Sequence, residues 1–276
     1  MWQKVVYSSF LAILPFFSLD TDQDRYQKYL DFIKDHKFTA QNLGSFKRGE
    51  IEIVKDLKMI KEIEDYRMAV LLKNGYTKAE AESSSRIGIL NEDEYWMWIR
   101  DGVIFPTGAK GTYNRIVLKK ELVDPVPRVA MFPVLSDGKI VLNLNYRHPL
   151  RRWVLEIPRG FKLSRETDID AVKRQLKEET GYEAKNQEYL GSLFSDSGYS
   201  SMCVPVYRVE VGSKTFANQD FTEAILRTEL LSIEEIKQAM SRGHIELEIN
   251  GCKQRVDVSD SYLAYAILMT ETKKAK

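Results

Sequence analysis

The chain has 276 residues, enough for one large domain or two small ones with a real apolar core. Hydrophobic residues make up 43% and charged residues 29%, which excludes a wholly disordered protein. The 41 basic and 40 acidic side chains leave a net charge of +1, so we expect no nucleic-acid partner. Two cysteines and three scattered histidines argue against a disulfide framework and against a zinc site.

The amino-terminal segment, residues 1–19, is apolar. Its hydrophobic run is too short, and too interrupted by Ser and Pro15, to span a membrane. Packing on the body of the protein is the simplest interpretation, and a targeting or membrane-surface role is the alternative. We therefore expect a cytoplasmic protein, with an exported or membrane-associated form left open.

Residues 20–102 are expected to form a mainly helical amino-terminal region. Apolar residues recur there at helical spacing in two stretches, first Tyr26, Leu30 and Ile33, then Ile53, Leu57, Ile60 and Ile63. The function of this region is left open, with a protein or a membrane surface as candidate partners.

A short polar residue followed three positions later by Glu is typical of a helix start, because each side chain can bond a free amide of the first turn. The pattern occurs as Thr77 with Glu80, Asn91 with Glu94, and Ser232 with Glu235. We expect three helices to begin at these places.

From residue 103 the pattern changes, and residues 103–276 are expected to form one mixed α/β domain. Residues 129–135 and 139–146 are strand-like, and Ser136–Gly138 between them is typical of a hairpin turn. A last apolar helix is expected from about Ser261 to Met269.

Residues 160–182 carry the clearest chemical signal. Thr167 is suited to begin a helix, and Gly181 is suited to end it in a left-handed conformation. Glu178 and Glu179 are adjacent near the end of that helix. Neighbouring carboxylates suit Mg²⁺ or Mn²⁺, which prefer oxygen ligands. Taken alone, a solvated acidic helix face would explain the same residues.

The spacing of eight residues in this segment argues against a mere solvated surface. They are Gly160, Glu166, Arg174, Leu176, Glu178, Glu179, Gly181 and Tyr182. Together they resemble the signature of the Nudix hydrolases, G-x5-E-x7-R-E-U-x-E-E-x-G-U, where U is a bulky apolar residue. The flanking stretches 145–149, 155–160 and 189–200 are similar to the ADP-ribose pyrophosphatase branch, with Ser197 in place of its usual Pro. Residues 221–225 resemble the loop that carries a further catalytic Glu.

The resemblance implies an α+β fold, namely the Nudix α/β/α sandwich with a mixed sheet. It implies hydrolysis of a nucleoside diphosphate linked to another moiety, an ADP-ribose-like small molecule, with Mg²⁺ or Mn²⁺ as cofactor. Many members of the branch pair as homodimers, so a homodimer is left open here.

The resemblance also assigns roles residue by residue. The implied metal ligands are Arg159 through its backbone carbonyl, Gln175, Glu178 and Glu179. The implied catalytic residues are Arg174, which would hold the acids in place, Glu178, Glu179, and Glu223, which would position or deprotonate water. The implied substrate-binding residues are Arg147 and Glu156.

Gln175 is the one departure from the signature, since the family has Glu there. A Gln oxygen can still bind a metal, but without charge. One negative charge about 4 Å from a cation is worth roughly 4 kcal/mol at an effective dielectric near 20. We therefore expect reduced activity. The alternative is a catalytically weak or silent Nudix module that binds a nucleotide.

Overall fold

The chain is described here from a computed structural model, which covers residues 22–35, 42–124, 126–218 and 223–274. The predictions for residues 1–19 lie outside the described residues. Internal contacts divide the described residues into two compact units, the first within residues 22–91 and 98–114 and the second within residues 92–97 and 115–274. None of the helices in the described ranges has both the length and the apolar character needed to cross a bilayer.

The helices of the first unit are α1 (Asp22–Asp35), α2 (Leu57–Lys73) and α3 (Lys78–Ser85). The expected helical spacing is confirmed for α1, which buries Tyr26 and Ile33, and for Ile60 and Ile63, which α2 buries. The rest of the second stretch is wrong, because Ile53 lies in a strand and Leu57 is exposed. The helix start at Thr77 is also confirmed: its hydroxyl accepts from the amide of residue 80, whose side chain bonds back to the Thr77 amide.

The same region contains three strands that the sequence did not indicate, namely β1 (Glu52–Ile53), β2 (Gly88–Glu92) and β3 (Trp96–Ile104). A fourth strand, β4 (Lys110–Leu118), contains the run 113–118, which is strand-like in the sequence. The order is β1-β3-β2, with β4 on β3. The helix start expected at Asn91 and Glu94 is wrong, because Asn91 lies in β2 and Asp93 forms the turn into β3. The boundary expected between residues 102 and 103 falls inside β3.

Nine strands pair in the second unit within the described residues. They are β5 (Arg128–Val134), β6 (Ile140–Arg147), β7 (Arg152–Glu156), β8 (Arg159–Phe161), β9 (Tyr182–Phe194), β10 (Cys203–Lys214), β11 (Ile225–Leu231), β12 (His244–Ile249) and β13 (Cys252–Asp257). Their order is β12-β13-β7-β6-β5-β10-β9, with β11 on β6 and β8 on β5. The sheet is mixed, since β5 is parallel to β10 and antiparallel to β8.

Helices cover both faces of this sheet. They are α4 (Asp168–Thr180), α5 (Ile233–Arg242) and α6 (Ser261–Lys274). On one face α4 buries Val172 and Leu176 against Met131 and Val141. On the other face α5 and α6 pack on a separate cluster that includes Leu142. Successive strand residues thus point to opposite layers, and the predicted α/β/α sandwich is confirmed.

Two glycines act where the backbone has to turn. Gly138 has φ 86° in the hairpin between β5 and β6, which confirms that predicted turn. Gly181 has φ 76° and ends α4 as predicted. A Cβ on Gly181 would also lie 2.3 Å from the carbonyl oxygen of Thr215, so the close passage of that chain requires glycine as well.

The capping box at the start of α5 gives a test of these local interactions. The Ser232 hydroxyl accepts from the Glu235 amide, and the Glu235 carboxylate accepts from the Ser232 amide. We expect Ser232→Ala to lower the free energy of unfolding by about 1 kcal/mol in urea titrations. Ser241→Ala, at the exposed end of the same helix, is the control and should change it by less than about 0.5 kcal/mol. Equal effects of the two substitutions would refute the role of the cap.

Candidate active site

Arg174 joins α4 to the loop that precedes it. Its Nε and Nη2 donate to the two oxygens of Glu166 at 2.8 and 2.7 Å, in a bidentate pair. Nη2 also donates to the carbonyl of Phe161, and Nη1 donates to Glu178 Oε2, both at 2.9 Å. The hydrogen bond from Arg174 lowers the pKa of Glu166, so that carboxylate stays ionised. One guanidinium therefore holds the loop, the end of β8 and one acid of the Glu178–Glu179 pair.

The second acid of the pair, Glu179, is buried, with 3% of its surface exposed. Asn143 Nδ2 donates to its Oε2 at 2.5 Å, and the backbone N–H of Arg159 also donates to it. Burial raises the pKa of Glu179 well above its ordinary value, and the negative charges of Glu223 and Glu156 raise it further. A buried acid beside two other acids is a place where a bound cation is electrostatically favourable.

Glu156 is the centre of a buried charge network. It is 2% exposed and accepts hydrogen bonds from Asn145 Nδ2 at 2.9 Å, Arg147 Nε at 2.8 Å and Arg159 Nη2 at 2.8 Å. Arg159 Nη1 donates in turn to Asp260 at 2.8 Å. Two acids and two arginines therefore balance each other, as buried charges require.

Alternate residues of β6 point to this network. Asn143, Asn145 and Arg147 lie at every second position and share one face of the strand, while Leu142 and Leu144 belong to the core on the other face. The roles of Asn143 and Asn145 were not predicted from the sequence. Their two-residue spacing in an otherwise apolar strand was the signal that could have found them. No signal pointed to Asp260, which lies 101 positions after Arg159.

Gln175 packs directly on the main chain of β8. Its Nε2 donates to the carbonyl of Phe161 at 3.1 Å. A Cβ on Gly160 would lie 2.0 Å from Gln175 Oε1, so this close approach requires a glycine. The amide nitrogen of Gln175 is thus engaged with the backbone, and its oxygen is the atom left for a metal ion.

Two adjoining clefts bring the predicted site residues together. The main cleft, of about 580 Å³, is lined by residues that include Arg174, Gln175 and Glu178. The second cleft, of about 440 Å³, includes Glu156. Four residues line both clefts: Arg147, Arg159, Glu179 and Glu223. Every residue singled out from the sequence for the site therefore borders one of the two clefts.

Glu223 is an exposed residue in the approach to β11, and it faces both clefts. The negative charge of Glu223 raises the pKa of Glu179, so the two carboxyl groups lie close enough to interact. The residues before it, Phe221 and Thr222, lie outside the described part of the chain.

The donor set can be tested against a divalent ion. Within the described ranges, no three or more His, Cys, Asp or Glu side chains are grouped to hold a metal ion by themselves. Mg²⁺ commonly takes one or two carboxylates and completes its shell with water and phosphate oxygens. Glu178, Glu179 and the carbonyl of Arg159 fit that smaller set, and the raised pKa of Glu179 shows how poorly its charge is solvated without a cation.

Comparison with known proteins identifies related chains. Residues 124–247 match the NUDIX domain model. The ADP-ribose pyrophosphatase of Bacillus subtilis is 29% identical over 157 residues, covering 57% of this chain and 78% of that protein. The methanol dehydrogenase activator of Bacillus methanolicus is 34% identical over 89 residues, covering 32% of this chain and 48% of that one.

One solved structure shows the same fold. It is the crystal structure of an ADP compounds hydrolase, which matches with a TM-score of 0.51 at 15% identity. The match covers 69% of this chain and 92% of the other. At that identity the likeness bears on the fold alone.

The raised pKa of Glu179 predicts how stability depends on pH in the metal-free protein. Above its ordinary value of 4.5 the unfolded chain gives up this proton while the folded protein keeps it. The stability that Glu179 contributes is therefore lost as the pH rises, until the folded side chain ionises too. We expect Glu179→Gln to reduce this loss in urea unfolding measured as the pH is raised above 4.5, with EDTA present. Parallel pH profiles for the two proteins would contradict the assignment.

Proposed function

We propose that the chain hydrolyses a nucleoside diphosphate linked to another moiety, because residues 124–247 match the NUDIX domain model. An ADP-ribose-like compound is the leading substrate, with Mg²⁺ or Mn²⁺ as cofactor. The burial of Glu179 beside Glu223 and Glu156, in a cleft that Glu178 also lines, is the observation that carries the proposal. The similarity to the Bacillus subtilis ADP-ribose pyrophosphatase supports the choice of substrate.

In the proposed reaction, water attacks one phosphorus of the diphosphate and the bridging P–O bond breaks. The products are a nucleoside monophosphate and a second phosphate ester. Glu178, Glu179 and the carbonyl of Arg159 would hold the metal ion, with the oxygen of Gln175 as an uncharged donor. A bound divalent ion neutralises phosphate charge and lowers the pKa of water.

Three side chains would orient the water, bind the substrate and position a metal ligand. Glu223 faces both clefts, so it is placed to orient the attacking water or accept its proton. Nε and Nη2 of Arg147 donate to the carboxylate of Glu156, so Nη1 remains to donate to a substrate oxygen. Arg174 contacts Glu166 and Glu178 and would act as a positioning residue for the second of these.

A nucleotide-binding module without hydrolysis is the second candidate. Gln175 favours it, because this side chain brings no charge and its amide nitrogen donates to the Phe161 carbonyl. Such a module would bind ADP-ribose in a calorimeter and release no product.

Incubation with ADP-ribose and Mg²⁺, followed by detection of AMP, tests the enzyme directly. We expect turnover that EDTA removes, and a loss of roughly 100-fold or more in kcat for Glu179→Gln, because a charge that acts in the transition state is removed. Glu246→Gln, an exposed acid on β12, is the matched control and should retain activity. Turnover that persists in EDTA would count against the mechanism.

Restoring the signature acid tests the importance of the missing charge. We expect Gln175→Glu to raise kcat with Mg²⁺, since a carboxylate repels the Phe161 carbonyl and is drawn to the cation. Gln175→Ala, which removes both the amide and its oxygen, is the comparison and should not raise kcat. An unchanged or lower rate for Gln175→Glu would show that the charge does not limit hydrolysis.

A further inference from the structure

The cations of the main cleft differ in whether an acid balances them. Four of them form ion pairs: Arg147 with Glu156, Arg159 with Glu156 and Asp260, Arg174 with Glu166 and Glu178, and Lys162 with Asp124 and Asp168. The other two, Arg128 and Lys120, line the same cleft and form no ion pair with any described residue. A cation without an ion-paired acid is a place where an anionic group of a ligand can supply the negative charge.

Arg128 begins β5 and is held by an aromatic ring rather than by an acid. Its guanidinium carbon lies 3.9 Å from the centroid of the Phe161 ring. Its Nε is buried and has no hydrogen-bond partner. Burial, with the positive charges of Arg159 and Arg147, lowers the pKa of Arg128 to about 10. A desolvated cation with an unused donor is unfavourable until an anion reaches it.

Tyr262 and Glu121 are the groups whose charges favour the protonated form of Arg128, and neither forms a hydrogen bond with its guanidinium. Glu121 is 4% exposed, and its Oε2 accepts from the hydroxyl of Ser201 at 3.0 Å. Its Oε1 is buried without a partner. Burial raises the pKa of Glu121 although Arg128 acts to lower it, so this carboxyl is poorly suited to stay ionised as a counter-charge.

Lys120 approaches the same ring. Its ammonium nitrogen lies 5.3 Å from the Phe161 centroid and donates to the carbonyl of Lys162. The nearby charge of Glu166 is committed to Arg174 through two hydrogen bonds. Arg128 and Lys120 therefore both lie over the Phe161 ring, and neither forms an ion pair with an acid of the described residues.

We propose that Arg128 and Lys120, positioned on the Phe161 ring, form an anion subsite for a phosphate or carboxylate of the substrate outside the diphosphate that is cleaved. The inference rests on the proposed function. Both cations line the cleft of Glu178 and Glu179 but form no ion pair or hydrogen bond with either acid. A diphosphate held at those acids leaves this subsite for a different anionic group.

The preferred substrate thus carries a further negative charge, either on the nucleoside or on the group beyond the diphosphate. Two matched pairs of compounds separate these sources. ADP-ribose 2′-phosphate against ADP-ribose tests a charge on the nucleoside, and UDP-glucuronic acid against UDP-glucose tests a charge on the distal sugar. In each pair the two compounds share the diphosphate and differ in one anionic group.

Binding is measured by calorimetry on the full chain in EDTA, so that hydrolysis does not enter, and kcat/KM is measured with Mg²⁺. We expect the anionic member of one pair to bind about tenfold more tightly, as one charge-assisted contact allows. In Arg128→Leu that advantage should fall to about onefold, whatever the affinity for the member that lacks the extra anionic group. Arg255→Leu, an exposed arginine on β13, is the control and should keep the full advantage.

The outcomes separate the subsite from the proposed function. Hydrolysis of ADP-ribose or UDP-glucose, with no advantage for either compound that carries the extra anionic group, would overturn the subsite and leave the function standing. An anionic advantage in binding without any product would support the subsite and refute the function. An advantage that survives Arg128→Leu would also overturn the subsite. If that variant does not fold, Lys120→Met tests the same subsite and should reduce the advantage.

Discussion

The site depends on one guanidinium that lies between a helix and a strand. Arg174 pairs with Glu166 through two nitrogens, bonds the carbonyl that ends β8 and holds an oxygen of Glu178. A planar group with several donors can satisfy all these acceptors at once, which a lysine could not do. This contact fixes α4 to β8 at the site, while the burial of Val172 and Leu176 holds the helix on the sheet.

Around that contact the domain keeps several charges out of water. Glu156 and Glu179 are buried, and Arg159 links Glu156 to Asp260. Such groups cost stability unless their partners are complete, so their presence indicates a functional requirement rather than a folding advantage. The network around Glu156 is complete within the protein. Glu179, with its raised pKa, and Arg128, with its unused donor, would gain from a bound cation and a bound anion respectively.

Local patterns predicted most of the elements. Thr77, Thr167 and Ser232 cap their helices as expected, and Gly138 and Gly181 turn the chain where they were expected to, because these interactions involve neighbours within a few residues. The helix start predicted at Asn91 is wrong because Asn91 continues β2, and Asp93 accepts the amides that turn the chain into β3. The alternating burial from Trp96 to Ile99 fits a strand once neighbouring strands pair with β3. Pairing with a distant strand has no local signal.

The sequence by itself predicted the sandwich fold, the resemblance that the NUDIX domain match over residues 124–247 supports, and the segment that holds Glu178 and Glu179, since a fixed spacing on one helix fixes which side chains lie together. Only the tertiary structure decided which distant residues complete the site. Asn143 reaches Glu179, Asp260 reaches Arg159, and Arg128 lies on Phe161 because strands and a carboxyl-terminal segment far apart in the chain pack side by side. Burial, which controls the pKa of Glu179, is likewise a property of that packing.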